Sequence, residues 1–206
     1  MKPLSLWQID MLPWYVFALY WLITWLRVER TKSTESVAQR LLTIVPMVLA
    51  FELLFCDSLR WGPLRKRFLP AEDWIAWCGI ALTCLGAALA IRARYCLGQY
   101  WSSRVTLKQG HRVIRSGPYA VVRHPIYAGM QLAALGTAVV RGEWRGLLAV
   151  IVILVAHSRK ALREEALLTT ELGEEYTSYR RGTGFLSPRF GRGPGIGGMD
   201  TRPGRS

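Results

Sequence analysis

Two short stretches of this sequence carry side chains that could act on a small molecule together. In the first, Arg123 and His124 stand immediately before Pro125, with Tyr119 and Tyr127 on either side. A proline that opens a helix loses nothing by lacking its N–H, so Pro125 places Arg123 and His124 at a helix mouth. Free N–H groups and the helix dipole at such a mouth suit a carboxylate or another anion, and the two tyrosines add aromatic walls with polar tips. In the second stretch, Lys160, Arg163, Glu164 and Glu165 fall within about two helical turns. Carboxylates hold ribose hydroxyls or a cationic amine, so a nucleoside carrying an amino acid would be matched at both ends. His124, Glu164 and Glu165 are also the groups that could take a proton.

Each of these residues has a plainer use. A basic pair beside a membrane anchors headgroups, and a Glu-Glu pair near Lys and Arg makes a solvated helix face. Tyr176 and Tyr179 share a helical face with Leu172 and read as interfacial packing. What decides between the readings is whether the rest of the chain brings the two stretches together.

The chain has 206 residues, 51% of them hydrophobic, and a formal net charge of +13. Its apolar residues come in long blocks with Lys and Arg in the gaps, a pattern that places it in a membrane and argues against a nucleic-acid partner. Five blocks are long enough to be spans: 12–26, 41–56, 74–91, 125–140 and 146–157. The second, with Pro46 and Glu52, is the weakest. The third has Gly79, Gly86, Ala87 and Ala88, which would permit close helix approach. Asp10 and the bulky Trp14, Tyr15 and Trp21 argue against a cleaved leader. Cys56, Cys78, Cys84 and Cys96 form no C-x-x-C pair and read as buried thiols, and no metal site is expected.

The fourth and fifth blocks are separated by only a few residues and so form an antiparallel hairpin. Nothing interrupts the helical pattern of the fifth until Gly173, so it should continue out of the membrane. The hairpin therefore sets His124 and Glu164 at one depth. Of the 27 Lys and Arg, 20 fall on the side that holds this site, which orients the site and the C-terminus toward the cytoplasm. Arg60, Arg65, Lys66 and Arg67 run against that count. The Gly-, Pro- and Arg-rich stretch 191–206 is expected to be disordered, and its glycines lack the strand and helix of a dinucleotide loop.

The sequence from His111-Arg112-Val113-Ile114 through Ser116-Gly117-Pro118-Tyr119 to Arg123-His124-Pro125-Ile126-Tyr127-Ala128-Gly129 resembles the core of the isoprenylcysteine carboxyl methyltransferase family. Glu164-Glu165, Leu172-Gly173-Glu174-Glu175-Tyr176 and Tyr179 resemble its C-terminal signature in order and spacing. The resemblance covers 97–188. It implies an all-α integral membrane protein of about five transmembrane helices, the last two a hairpin, with a cytoplasmic cofactor pocket for S-adenosylmethionine.

By the same resemblance, 1–96 is scaffold, 97–190 the methyltransferase core and 191–206 a tail. His111, Arg112, Val113, Ile114, Tyr119, His124, Pro125, Ile126, Tyr127 and Glu164 would surround the cofactor, with His124 and Glu165 catalytic. The family's substrate-associated arginine is replaced here by Lys160, with Arg159 beside it. The expected partners are membrane lipids and a lipophilic or small methyl acceptor, with no obligate protein partner. Two other readings share these residues: an NADPH-dependent membrane reductase of the sterol reductase type, which also has an Arg-His-Pro-x-Tyr stretch, and a non-catalytic membrane assembly protein.

Overall fold

The structure is a computed structural model that describes residues 4–25, 36–56, 62–98 and 113–189. These form five α-helices: α1 (Leu6–Trp25), α2 (Val37–Phe55), α3 (Asp73–Leu97), α4 (Pro125–Arg141) and α5 (Trp144–Gly182). Short 3-10 turns lie at Gly62–Arg65 and Gly117–Ala120. The described residues contain no strand, only isolated bridges between Arg67 and Glu143 and between Val122 and Gly184.

Helices α2 and α3 have the length and composition to cross a membrane. Only 17% and 33% of their most apolar windows are buried, so both helices present long apolar faces that the other described residues do not cover. The block read as weakest is thus one of these two. It starts at Val37 because Ser36 and Gln39 form a capping box, which lengthens the helix by a turn. Helix α1 starts at Leu6, earlier than its apolar block, because Asp10 is not left bare: fully buried, it accepts a 2.7 Å hydrogen bond from Thr83 of α3. Trp14 donates to Thr137 of α4 at 2.9 Å, so α1 is tied to both neighbours by polar groups in an apolar setting.

Helices α3 and α4 pack with their backbones almost touching. A Cβ on Gly86 would lie 2.3 Å from the Ala133 nitrogen, and one on Gly136 would lie 2.4 Å from the Thr83 nitrogen. Gly79 and Gly129 are equally close to the opposite backbone. Small residues on both helices therefore set the helix separation, as expected for Gly79 and Gly86, whereas Ala88 faces outward. The cysteines depart from expectation. Cys78 and Cys84 are exposed and Cys56 and Cys96 half-buried, because the outward flank of α3 and the end of α2 are not fully covered by the other described residues.

The hairpin is confirmed and its turn is tight. Gly142, with φ of 63°, ends α4, and Glu143 precedes α5. The segment Gly62–Arg65 and its continuation fold onto this turn: Phe68 donates to the Gly142 carbonyl at 2.8 Å and Trp144 to the Lys66 carbonyl at 3.1 Å. Arg67 donates to the Arg141 carbonyl at 2.9 Å and so caps the end of α4. This accounts for Arg67 among the basic residues that run against the charge count, since it satisfies a helix end; Arg60 lies outside the described residues. Helix α5 runs unbroken to Gly173, whose φ of 53° kinks it. The 29 residues before the kink span about 43 Å, longer than a hydrocarbon core of about 30 Å.

Candidate functional site

His124 is the N-cap of α4 and Pro125 its first residue, so the chain turns into the helix where the sequence predicts. Backbone carbonyls take the N–H groups of the two residues just ahead of the helix. Arg123 N–H donates to the Gly184 carbonyl at 2.8 Å and His124 N–H to the Phe185 carbonyl at 3.2 Å. The chain beyond α5 comes back beside the mouth of α4 and pairs with the two residues that lead into it. Phe185 lies edge-on to the His124 ring at 5.2 Å. This returning strap gave no signal in the sequence, because its role depends on backbone atoms.

The two glutamates, adjacent in sequence, have different surroundings. Glu165 is buried, and one oxygen accepts from Arg123 Nε at 2.7 Å and from His124 Nε2 at 3.1 Å. Its other oxygen lies 3.4 Å from Arg180 Nε. Burial disfavours its charge, but the hydrogen bonds from His124 and Arg123 outweigh that and hold its carboxyl below the usual range. Arg123 also donates to the Thr183 and Arg180 carbonyls. Glu165 thereby ties the mouth of α4, the shaft of α5 and the strap into one unit.

Glu164 is less enclosed, with 24% of its side chain exposed against 4% for Glu165. Tyr127 donates to its Oε1 at 2.6 Å, while Oε2 lies 3.7 Å from His124 Nδ1, beyond hydrogen-bond reach. The imidazole that donates from Nε2 to Glu165 turns its Nδ1 toward Glu164. Its ring stacks on Tyr127 at 5.7 Å, and Tyr127 stacks on His157 at 4.7 Å. Lys160 sits over the Tyr127 ring at 5.8 Å.

The other residues singled out in the sequence divide into two groups. Ile114, Tyr119, Ile126 and Tyr127 belong to one apolar cluster with Ala93 and Met130. Val113 and Pro125 lie at its edge in the chain, half-buried and buried respectively. Arg159 is exposed, and its carbonyl accepts from Arg163, which reaches Thr43 of α2. Arg159 and Lys160 therefore stand differently: only Lys160 contacts Tyr127. His111, Arg112 and the stretch 191–206 lie outside the described residues. Tyr176 and Tyr179 are buried inside the protein rather than at an interface, and Tyr179 donates to the Tyr119 carbonyl at 2.7 Å. Burial pushes the Tyr119 and Tyr176 phenols up and Tyr179 up to about 12, so all three stay neutral and serve as packing.

His157 is the residue that sequence reading passed over, as the mere end of an apolar block. It is one of three histidines and lies seven residues before Glu164, which is two turns along one helix face. That spacing is the signal that could have found it.

The fold and site define an all-α protein with two helices of membrane-crossing length and a polar cluster at the open end of a hairpin. Within that class, residues 79–169 match the model of the isoprenylcysteine carboxyl methyltransferase (ICMT) family, which bears out the resemblance carried by the motifs. The match begins inside α3 and ends just past Glu164 and Glu165. The chain is 35% identical over 105 residues to "Protein-S-isoprenylcysteine O-methyltransferase" of Schizosaccharomyces pombe, covering 50% of this chain and 44% of that protein. It is 31% identical over 91 residues to "Uncharacterized protein YpbQ" of Bacillus subtilis, covering 44% of this chain and 52% of that one. The chain thus spans about half the length of the curated relatives it matches.

Proposed function

We propose that this protein is a membrane-embedded methyltransferase that uses S-adenosylmethionine to methylate a carboxyl, amine or thiol of a lipophilic or small acceptor. In this reading all five helices cross the bilayer and the mouth of the α4–α5 hairpin faces the cytoplasm. The observation that carries it is the division of labour between the adjacent glutamates inside the family match. Glu165 is saturated by Arg123, His124 and Arg180, whereas Glu164 keeps an oxygen beyond hydrogen-bond reach beside an aromatic stack. A partly open carboxylate beside Tyr127 and His124, over an apolar floor of Ile114 and Ile126, fits a ligand with ribose hydroxyls, an amine and a flat base.

Bound there, S-adenosylmethionine supplies a methyl group on a sulfonium, open to in-line displacement. Such a displacement needs alignment and exclusion of water more than a strong acid. Glu164 would hold the cofactor's hydroxyls or amine, with Tyr127 fixing the carboxylate's direction. Glu165 holds Arg123 and His124 in place, so we assign it positioning work. A carboxylate acceptor has no proton to lose. For an amine or thiol acceptor, His124 Nδ1 is the lone pair placed to receive the proton.

Calorimetry with S-adenosylmethionine on the detergent-solubilised protein tests the cofactor, and methyl-labelled cofactor added to membranes tests the acceptor. Saturable binding, weakened by His124→Ala, and label in an extractable lipid are the expected results. Binding of NADPH instead, or an unchanged affinity in the His124→Ala variant, would remove the reading or His124 from it.

A further inference from the structure

Just inside the hairpin from the Tyr127–Glu164 bond, two side chains have buried polar atoms that no group among the described residues satisfies. His157 is 4% exposed, and its Nδ1 has no hydrogen-bond partner. Gln131 donates its amide nitrogen to the Val150 carbonyl at 2.9 Å, which leaves its buried oxygen without a partner. Both belong to the α4–α5 seam. His157 stacks on Tyr127; Gln131 is one turn into α4 from Tyr127, and Val150 is two turns back along α5 from His157. The outer flank of α5 at this level, Ile151, Leu154 and Val155, is apolar and exposed, so the seam borders the hydrocarbon side.

An unmet nitrogen or oxygen in an apolar seam costs about 1–3 kcal/mol, and buried polar atoms are seldom left so. Two of them on the α4–α5 seam, one stacked on Tyr127 and the other one turn along α4 from it, are placed to meet the polar head of a molecule that arrives from the bilayer. The chemistry of that head can be narrowed. The Gln131 amide nitrogen is committed to Val150, and the oxygen left over can only accept. The head must therefore bring a donor.

We propose that His157 and Gln131 are the head-group contacts for the methyl acceptor. They select a lipophile that carries an N–H, O–H or S–H beside its methyl-accepting atom. The assignment rests on the methyltransferase reading above. His157, through either tautomer, contacts the head from α5, and the Gln131 oxygen receives its donor hydrogen from α4.

The test compares two farnesylated carboxylic acids with full-length protein in lipid nanodiscs and methyl-labelled S-adenosylmethionine. One is N-acetyl-S-farnesylcysteine, which has an amide N–H beside the carboxylate; the other is its counterpart without the acetamido group. Wild type is expected to favour the first by about tenfold in kcat/KM, roughly one hydrogen bond's worth. Gln131→Leu should abolish that preference. His157→Phe preserves the stack on Tyr127 while removing both nitrogens. It should raise the KM for either probe about tenfold with kcat, thermal midpoint and cofactor affinity unchanged, and His157→Asn should recover part of the loss.

Equal turnover of the two acids by wild type, or wild-type KM in both the Phe and Leu variants, overturns the assignment and leaves these residues as packing. Wild type that binds the cofactor yet methylates neither acid also overturns it, with the cofactor reading intact. Absence of cofactor binding removes both.

Discussion

The two ends of the α4–α5 hairpin are built from the same pair of residue types, yet one is closed and the other is left with capacity to bind. At the turn, Arg145 is fully buried, donates to Glu143 at 2.6 Å, and also reaches the Cys56 carbonyl at the end of α2. Arg141 donates to the Phe55 carbonyl at 3.0 Å and lies 3.6 Å over the Trp7 ring. The arginines there stop the C-terminal ends of α2 and α4, where exposed carbonyls favour a cation. At the mouth, the Arg123–Glu165 pair does the equivalent tying, but Glu164, Tyr127, His124 and His157 stand beside it with atoms that accept or donate further. A buried ion pair is thus no marker of a site in this protein. The marker is the partly satisfied group next to it.

That contrast can be broken first at the turn. Arg145→Ala leaves Glu143 buried and the end of α2 uncapped, and should cost about 3–5 kcal/mol in denaturant or thermal unfolding. The surviving folded fraction should bind S-adenosylmethionine as tightly as wild type. A variant that unfolds no more readily than wild type would mean that the turn is not the structural end.

Glu165→Gln should be the next largest change, about 2–3 kcal/mol, since it weakens charge-assisted bonds to Arg123 and His124. It should also change the acid limb of stability. With its pKa depressed in the folded protein, Glu165 contributes stability that is fully present above its ordinary value of 4.5 and is lost as pH falls through the lower folded value. Thermal midpoints measured at successively lower pH, starting from neutrality, should therefore fall less steeply on the acid side of that ordinary value in the glutamine variant than in wild type.

Glu164→Gln is the sharpest test of the difference between the adjacent glutamates. Stability should move by less than about 1 kcal/mol, while cofactor affinity falls about tenfold by calorimetry. If instead Glu164→Gln unfolds the protein and Glu165→Gln weakens binding, the roles are exchanged. The smallest expected effect is at Tyr179→Phe, which removes one hydrogen bond to the Tyr119 carbonyl and should cost about 1 kcal/mol with cofactor affinity unchanged.

Much of the architecture was legible in the order of residues. The hairpin, the entry at Pro125 and the run of α5 to Gly173 each follow from a local cue: a short polar gap, a proline at a helix start, and the first glycine in a long helical pattern. The start of α1 was not legible, because an aspartate reads as an interruption until Thr83, far away in sequence, is seen beside it. Nor was the strap beside the mouth of α4, where the carbonyls of Gly184 and Phe185 accept from the N–H groups of Arg123 and His124.

The sequence by itself determined which helices form and which residues reach the mouth of the hairpin, since hydropathy, proline and glycine act over a few residues at a time. Only the tertiary structure decided what those residues do. Glu164 and Glu165 are identical chemically and adjacent in the chain, but one helical step of about 100° turns Glu165 toward Arg123, His124 and Arg180 and leaves Glu164 at the edge of the site. The same holds for the arginines at the turn, whose targets are backbone carbonyls on other helices. Electrostatic roles depend on distances across the fold, and no local pattern encodes them.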